Sequence, residues 1–191
     1  MALSGGTSRG LDHALRQLLL LRHAKSLWDD PRLSDHARPL NSRGRAAAQA
    51  MRQVMRAMGL APDLVLVSSA RRTLQTLEAL GPWDELPLIE PMDALYLASA
   101  GAMLDVLHDV SETVRSVLLI GHNPGMHELA VLLADPRAVG VDAGAVVRLA
   151  EGYPTGALAE FSIMGPWATL GRGGARLQHF LAPADVPEAA G

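Results

Sequence analysis

The chain has 191 residues, of which 49% are hydrophobic and 4% aromatic, a length and composition that predict one domain with a two-sided core. The formal net charge is −3, and basic and acidic residues are scattered, which argues against a surface for nucleic acid or for an anionic membrane. The absence of cysteine excludes a disulfide framework, a thiol nucleophile and thiolate zinc sites.

The first segment, residues 1–15, reads MALSGGTSRGLDHAL and consists mainly of small and polar residues. We expect a flexible N-terminal extension here, followed by a single domain over residues 16–191. The apolar run that follows, residues 18–21, is too short for the core of a signal peptide or for a span across a bilayer. The expected compartment is therefore the cytoplasm, with no membrane partner.

Four short apolar runs predict strands that are covered on both faces, as in a parallel sheet. They are residues 18–21, 64–67, 86–89 and 117–120. Helical patterns follow them at residues 41–58, 72–80, 100–110 and 126–133, and the first of these has Asn41 or Ser42 as a candidate N-cap. The alternation of strand and helix predicts a doubly wound sheet with right-handed crossovers.

The last third of the chain has a different pattern. Residues 145–149, 157–163 and 175–181 are interpreted as strands separated by glycine- and proline-rich turns, which favours an antiparallel or mixed addition to the sheet. The expected fold class is therefore α/β, a three-layer αβα sandwich with a mostly parallel sheet.

Histidine and arginine residues follow three of the four predicted parallel strands. They are Arg22 and His23 after the first run, Arg71 and Arg72 after the second, and His122 and Asn123 after the fourth. Ligands of open α/β sheets bind outside the carboxyl ends of the strands, and helix N-termini at that edge favour anions. Arginine forks match phosphate oxygens, one imidazole can act as a nucleophile, and a second can neutralise charge when phosphate holds it protonated. The pattern predicts a phosphate pocket.

Each of these groups alone has an ordinary structural explanation, because a charged residue after a strand or in the first turn of a helix is common. The five-residue separation of His122 and His127 does not suit a helical metal pair, and we expect neither a metal nor a cofactor. We interpret His13, His108 and His179 as surface or packing residues. His36, in the segment SDHARPL, is a candidate for shaping the mouth of the pocket.

At these positions the chain resembles the histidine phosphatase superfamily, which has the phosphoglycerate mutase-like fold, and within it the phosphohistidine phosphatases of the SixA type. The resemblance covers residues 16–182 and depends on the segments LLLLRHAKS, ARPLNSRG, LVLVSSARRTLQT and VLLIGHNPG. It implies that His23 is the nucleophile, that Arg22 and Arg72 bind phosphoryl oxygens, and that His122 completes the pocket. We also expect Asn123 to contact phosphate, and Arg71 to be exposed.

Two positions depart from the family pattern. Ala24 replaces the usual glycine after the nucleophile, which adds a methyl group where the backbone usually approaches closely. The segment after the third strand, where many family members carry a general acid, reads EPMDALYLAS in this chain. Asp93 is a candidate proton donor, with Ala94 as the alternative occupant of that position. A missing acid would favour phosphohistidine, whose imidazole needs little help to leave, or an aryl phosphate.

These expectations combine into a metal-independent phosphatase with a phosphohistidine enzyme intermediate. Its expected partner is a phosphorylated protein that carries phosphohistidine, or a small phosphorylated substrate. One alternative is a phosphatase or mutase for a small phosphorylated metabolite. The other is a noncatalytic module that binds phosphate and has lost turnover.

Overall fold

A computed structural model of the chain describes residues 15–135, 137 and 142–185. The predicted N-terminal extension, apart from Leu15, and His13 within it lie outside the described residues. The last six residues of the predicted domain, 186–191, also lie outside them.

The described residues form one mixed sheet of six strands in the order β3-β2-β4-β1-β5-β6. The strands are β1 (Arg16–Arg22), β2 (Leu64–Ser68), β3 (Leu88–Met92), β4 (Ser116–Gly121), β5 (Leu158–Ile163) and β6 (Ala175–Leu181). The first four strands are parallel to one another, while β5 pairs antiparallel with β1 and β6 antiparallel with β5. The parallel sheet with an antiparallel addition is confirmed.

Helices cover both faces of this sheet. They are α1 (Ser42–Ala57), α2 (Arg71–Leu80), α3 (Ala100–His108), α4 (Gly125–Leu133) and α5 (Ala143–Glu151). The two core clusters divide them, because α1 and α2 pack on one face and α3, α4 and α5 on the other, which is the predicted three-layer arrangement. In the described part of the chain, no helix combines the length and the apolar character that a membrane span requires.

The run of leucines in β1 lies at the centre of the sheet, between β4 and β5. All four are buried, and their side chains alternate between the two cores: Leu18 and Leu20 pack with α3 and α4, and Leu19 and Leu21 with α1 and α2. A strand with helices on both faces has no solvated side, so a continuous apolar run replaces the usual alternation.

The strand predicted at residues 145–149 is wrong, because the structure has helix α5 there. Asp142 caps this helix by accepting a hydrogen bond from the backbone N–H of Gly144, and Ala145 and Leu149 are buried four residues apart. The adjacent β-branched residues Val146 and Val147 favoured a strand locally. The cap and the burial of one helical face outweigh that preference.

The strand predicted at residues 86–89 begins two residues later and does not have two covered faces. Among the strands that the structure describes, β3 is at the edge of the sheet and pairs only with β2, and its residues are exposed apart from the half-buried Met92. A continuous apolar run is therefore not proof of a central strand. Pro91 within β3 agrees with an edge position, where a missing N–H disrupts no second ladder.

Candidate active site

The switch in strand order brings the predicted polar residues to one edge of the sheet. β1 and β4 are neighbours with Arg22 opposite Gly121, and β2 is next to β4. The chain leaves β1 towards β2 and β3 and then returns to β4, so the carboxyl ends of β1 and β4 form the crevice. His23 and His122 each follow one of these ends, and their ring centroids are 5.2 Å apart.

The ring of His23 is held in one tautomer. Its Nδ1 lies 2.7 Å from the backbone carbonyl oxygen of Ala24, and because a carbonyl can only accept, Nδ1 carries the proton. The Nε2 lone pair then accepts a hydrogen bond from Nε of Arg72 at 3.3 Å. Burial lowers the pKa of His23 to about 4. The hydrogen bond to Ala24 opposes this shift, and the positive charges of Arg72 and Arg22 add to it. At neutral pH Nε2 is therefore unprotonated, and its lone pair is chemically able to act as a nucleophile.

His122 is also neutral in this site. Its Nδ1 lies 3.2 Å from Nη2 of Arg72, a group that can only donate, and its Nε2 lies 2.7 Å from the hydroxyl oxygen of Ser68. Nδ1 is therefore the acceptor, and Nε2 carries the proton. Burial and then the positive charge of Arg72 lower the pKa of His122 to about 3. A protonated His122 requires an anion in the pocket that reverses this electrostatic balance.

Arg72 forms hydrogen bonds with three other residues of the site, His23, His122 and Asp35. It lies in the first turn of α2, with only 5% of its side chain exposed. Besides its bonds to the two histidines, it donates to the backbone oxygen of Asp35 at 2.6 Å and to Oδ2 of the same residue at 2.9 Å. Arg71, by contrast, is exposed, as predicted.

Arg22 and Asn123 share one anchor. Nη1 of Arg22 and Nδ2 of Asn123 both donate to the backbone oxygen of Tyr153, at 2.7 and 3.0 Å. Nε of Arg22 is buried and has no hydrogen-bond partner within the described residues. A partly buried arginine with an unused donor at a buried Nε is costly unless an anion can reach it, which agrees with the predicted phosphate contact of Arg22. The expected phosphate contact of Asn123 stays a prediction, since its amide is directed at Tyr153 here.

Two site residues were missed by the sequence analysis. Oδ2 of Asp35 accepts a hydrogen bond from the Tyr96 hydroxyl at 2.7 Å in addition to the bond from Arg72, and the Tyr96 ring packs edge-on against His122. Partial burial would raise the pKa of Asp35, but hydrogen bonds from Tyr96 and Arg72 and the charges of Arg72 and Arg38 hold it below its ordinary value. In the sequence, the feature that could have pointed to Asp35 as a site residue is its position next to His36, which was a candidate for shaping the pocket mouth.

Asp93 opens the short 3₁₀ turn Asp93–Leu95 after β3 and is exposed. In the part of the chain that the structure describes, its carboxylate makes no hydrogen bond or ion pair with His23, Arg72 or His122. The side chain from this turn that reaches the site is Tyr96. A proton-donor role for Asp93 stays a prediction.

The methyl group of Ala24 lies in a small apolar cluster with Leu40 and Ala48. The backbone N–H of Ala24 donates to Oγ1 of Thr76, whose hydroxyl donates to the backbone oxygen of Arg72. One threonine thus links Ala24, the residue after His23, to Arg72 of α2. The departure from glycine adds packing between this loop and α1.

The other described histidines have hydrogen-bond partners outside the pair of catalytic candidates. His36 bonds to Ser69 and packs edge-on against Tyr96, which places it beside the pocket. His108 and His127 bond to backbone oxygens, and His179 pairs with Glu160. In residues 15–135, 137 and 142–185, no three His, Asp or Glu side chains are grouped so that they could hold a metal ion.

Comparison with known proteins identifies relatives along most of the chain. The family model of the histidine phosphatase superfamily (branch 1) matches residues 18–95. An uncharacterized protein of Mycobacterium tuberculosis (strain CDC 1551 / Oshkosh) is 36% identical over 163 residues, which are 85% of this chain and 99% of that relative.

Solved structures give the same result. A Nakamurella multipartitia protein assigned as the phosphohistidine phosphatase SixA is 32% identical, with a TM-score of 0.75 over 88% of this chain and 96% of the other. Its counterpart from Agrobacterium tumefaciens is also 32% identical, with a TM-score of 0.73 over 88% and 98%. Because the family match includes the ends of β1 and β2 and these structures align over most of both chains, this chain belongs to the SixA type of the histidine phosphatase superfamily.

Proposed function

We propose that this phosphatase removes the phosphoryl group from phosphohistidine in a protein, through a phosphorylated His23. The observation that carries the proposal is the tautomer of His23. Its proton is held on Nδ1 by the Ala24 carbonyl, and the Nε2 lone pair lies beside Arg72. A neutral imidazole with its lone pair facing a buried guanidinium is arranged to attack an anionic phosphoryl group.

The reaction has two displacements at phosphorus. In the first, the Nε2 lone pair of His23 forms a bond to phosphorus, and the bond from phosphorus to the substrate nitrogen breaks, with its electron pair left on that nitrogen. In the second, a water oxygen attacks phosphorus, the bond to Nε2 breaks with its electron pair returned to Nε2, and the water proton leaves with the inorganic phosphate. Arg22, Arg72 and His122 hold the equatorial oxygens, so catalysis depends on position and charge.

The proposed partner is a phosphorylated protein, and the proposed compartment is the cytoplasm. Two features support phosphohistidine over an alkyl phosphate. An alkoxide needs a proton to leave, whereas imidazole does not. In the part of the chain that the structure describes, the exposed Asp93 makes no hydrogen bond or ion pair with His23, Arg72 or His122, which supports a leaving group that departs without a general acid at that position.

The test measures phosphate release from a phosphohistidine peptide and from p-nitrophenyl phosphate in the presence of EDTA. We expect the wild-type protein to act on both and His23→Ala to fall to background. His179→Ala, which changes a histidine on β6, should keep full activity. Asp93→Asn should lose activity only if Asp93 donates the proton. Rapid quenching in alkali, which preserves phosphorus–nitrogen bonds, should trap phosphate on the wild type and not on His23→Ala.

The alternatives give different results in the same assay. If the wild type binds vanadate but releases no phosphate from either substrate, the phosphatase mechanism is contradicted in favour of a noncatalytic module. A preference for one small phosphorylated metabolite over both test substrates would contradict the protein substrate. Loss of activity with EDTA would contradict the metal-independent mechanism.

A further inference from the structure

The carboxylate of Asp35 is an anion beside a pocket that should bind an anion. Its Oδ2 is bonded to Arg72 and Tyr96, while Oδ1 makes no hydrogen bond within the described residues and faces Nε of Arg38 at 4.0 Å. A phosphate dianion on Arg72 would lie close to this negative charge. The negative charge of Asp35 therefore lowers the affinity of the pocket for phosphate, which raises the question of what this carboxylate contributes to the reaction.

The segment that carries Asp35 is fixed to the start of α2. Arg72 donates to the backbone oxygen of Asp35 at 2.6 Å, and the backbone N–H of Arg71 donates to the backbone oxygen of His36 at 3.0 Å. The His36 ring also bonds to Ser69, just before that helix. These three contacts hold residues 35 and 36 against the start of α2, and the hydrogen bonds of Oδ2 to Arg72 and Tyr96 hold the carboxylate in the site.

Asp35 lies on the solvent side of the reacting groups. His23 and His122 are buried, and Arg72 is 5% exposed, but the Asp35 side chain is 39% exposed. In an in-line displacement the leaving group lies opposite the attacking Nε2, so it lies on the side of the phosphoryl group that faces the opening. Since Asp35 is the most exposed of these groups, a leaving group that enters from solvent passes its carboxylate.

We propose that Asp35 is a specificity-determining residue that selects a leaving group with a positive charge, namely the protonated ring of phosphohistidine. This inference rests on the proposed function and names the chemical form of its substrate. The ring nitrogen that is not bonded to phosphorus carries a proton and donates it in a hydrogen bond to Asp35. When His23 attacks, the electron pair of the broken bond stays on the other ring nitrogen, so neutral imidazole leaves without any proton transfer.

The same charge disfavours phosphate esters. An aryl phosphate carries two negative charges and no positive one, so its only electrostatic interaction with the Asp35 carboxylate is repulsive. A ring that stays protonated is the better leaving group, and a fixed carboxylate stabilises that form. Asp35 therefore replaces the general acid by holding a proton already on the substrate.

The experiment compares Asp35→Asn with the wild type at pH 7. It measures kcat/KM for a phosphohistidine peptide and for p-nitrophenyl phosphate, and the inhibition constant of vanadate. The amide keeps the acceptor for Arg72 and Tyr96 and removes the charge. Glu85→Gln is the matched control, because it removes one exposed carboxylate just before β3, at the opposite edge of the sheet.

We expect Asp35→Asn to lower the ratio of the two kcat/KM values, phosphohistidine to aryl phosphate, at least tenfold, and to tighten vanadate binding several-fold. Damage to the fold does not tighten binding of an anion, so the vanadate result separates a charge effect from a structural one. Glu85→Gln should change neither quantity.

Two results overturn the inference in distinguishable ways. If the wild type hydrolyses phosphohistidine and Asp35→Asn leaves the ratio and the vanadate constant unchanged, Asp35 does not select the leaving group, and the proposed function stands. If the wild type does not hydrolyse phosphohistidine, the proposed function fails, and this inference fails with it.

Discussion

Two neutral histidines in the candidate active site should make the folded state sensitive to mild acid. The pKa values of His23 and His122 are lowered to about 4 and about 3 from an ordinary value of 6.5. The folded protein therefore binds fewer protons than the unfolded chain in this range. Both histidines contribute their full stabilisation above pH 6.5, and it is lost as the pH falls towards 4 and 3.

The size of the effect between pH 7 and pH 5 depends mainly on the unfolded chain. At pH 5 both rings are still mostly neutral in the folded protein, while the unfolded chain is protonated at both. Each histidine then lowers the free energy of unfolding by about 2 kcal/mol between pH 7 and pH 5, or about 4 kcal/mol for the pair. Asp35 adds little in this range, because its lowered pKa places its titration at more acidic pH.

The assay is urea denaturation at pH 7, 6 and 5 for the wild type, His23→Gln, His122→Gln and the double variant. Each single variant should lose about 2 kcal/mol less than the wild type between pH 7 and pH 5, a difference of about 1 M in the urea midpoint. Any fixed cost of the substitution cancels, since the comparison is of slopes within each variant. Equal slopes in all four proteins would refute the assignment of neutral, buried rings.

Two further substitutions test how the site is held. Gly44→Ala should destabilise the protein by about 1–3 kcal/mol, because the added methyl group would overlap the Lys25 carbonyl oxygen where α1 packs against the loop after β1. Gly101→Ala is the control, at an open position of α3, and it should be neutral or stabilising by up to about 1 kcal/mol. If urea denaturation gives the same midpoint for Gly44→Ala and Gly101→Ala, the close packing of α1 against the loop after β1 is contradicted. Thr76→Val should lower the free energy of unfolding by about 1–3 kcal/mol and should also lower kcat, because it leaves the N–H of Ala24 unpaired. Thr76→Ser keeps the hydroxyl and should restore both stability and kcat. A valine variant with wild-type Tm and kcat would show that this hydroxyl is not needed.

The sequence was informative about the sheet because buried parallel strands have a distinctive composition. The continuous runs in β1, β2 and β4 have no polar residue that could face water, and the histidines and arginines that follow them are the residues from which a phosphate pocket is predicted. The rule that a continuous apolar run predicts a strand with two covered faces gave a wrong result at β3, because such a run does not show how many neighbouring strands there are. A strand was also wrongly predicted at α5, where the adjacent valines favour a strand locally and the cap by Asp142 was not considered.

The contacts that complete the site could not be predicted from local patterns. Asp35 precedes Arg72 by 37 residues, and nothing in the spacing shows that the two meet. Arg22 and Asn123 are anchored on a backbone carbonyl, that of Tyr153, and a carbonyl has no sequence signature. Long-range polar contacts depend on how the loops close over the strand ends, which only the folded chain determines.

The charge of the free pocket explains how such a site can be stable without its substrate. Two arginines carry two positive charges, both histidines are neutral, and the Asp35 carboxylate cancels one charge at a distance of 2.9 Å. The remaining positive charge attracts a phosphoryl group, and the bound anion in turn favours a proton on His122. The low pKa of His122 in the free site and its expected charge in the complex are therefore two states of one electrostatic balance, and the substrate decides between them.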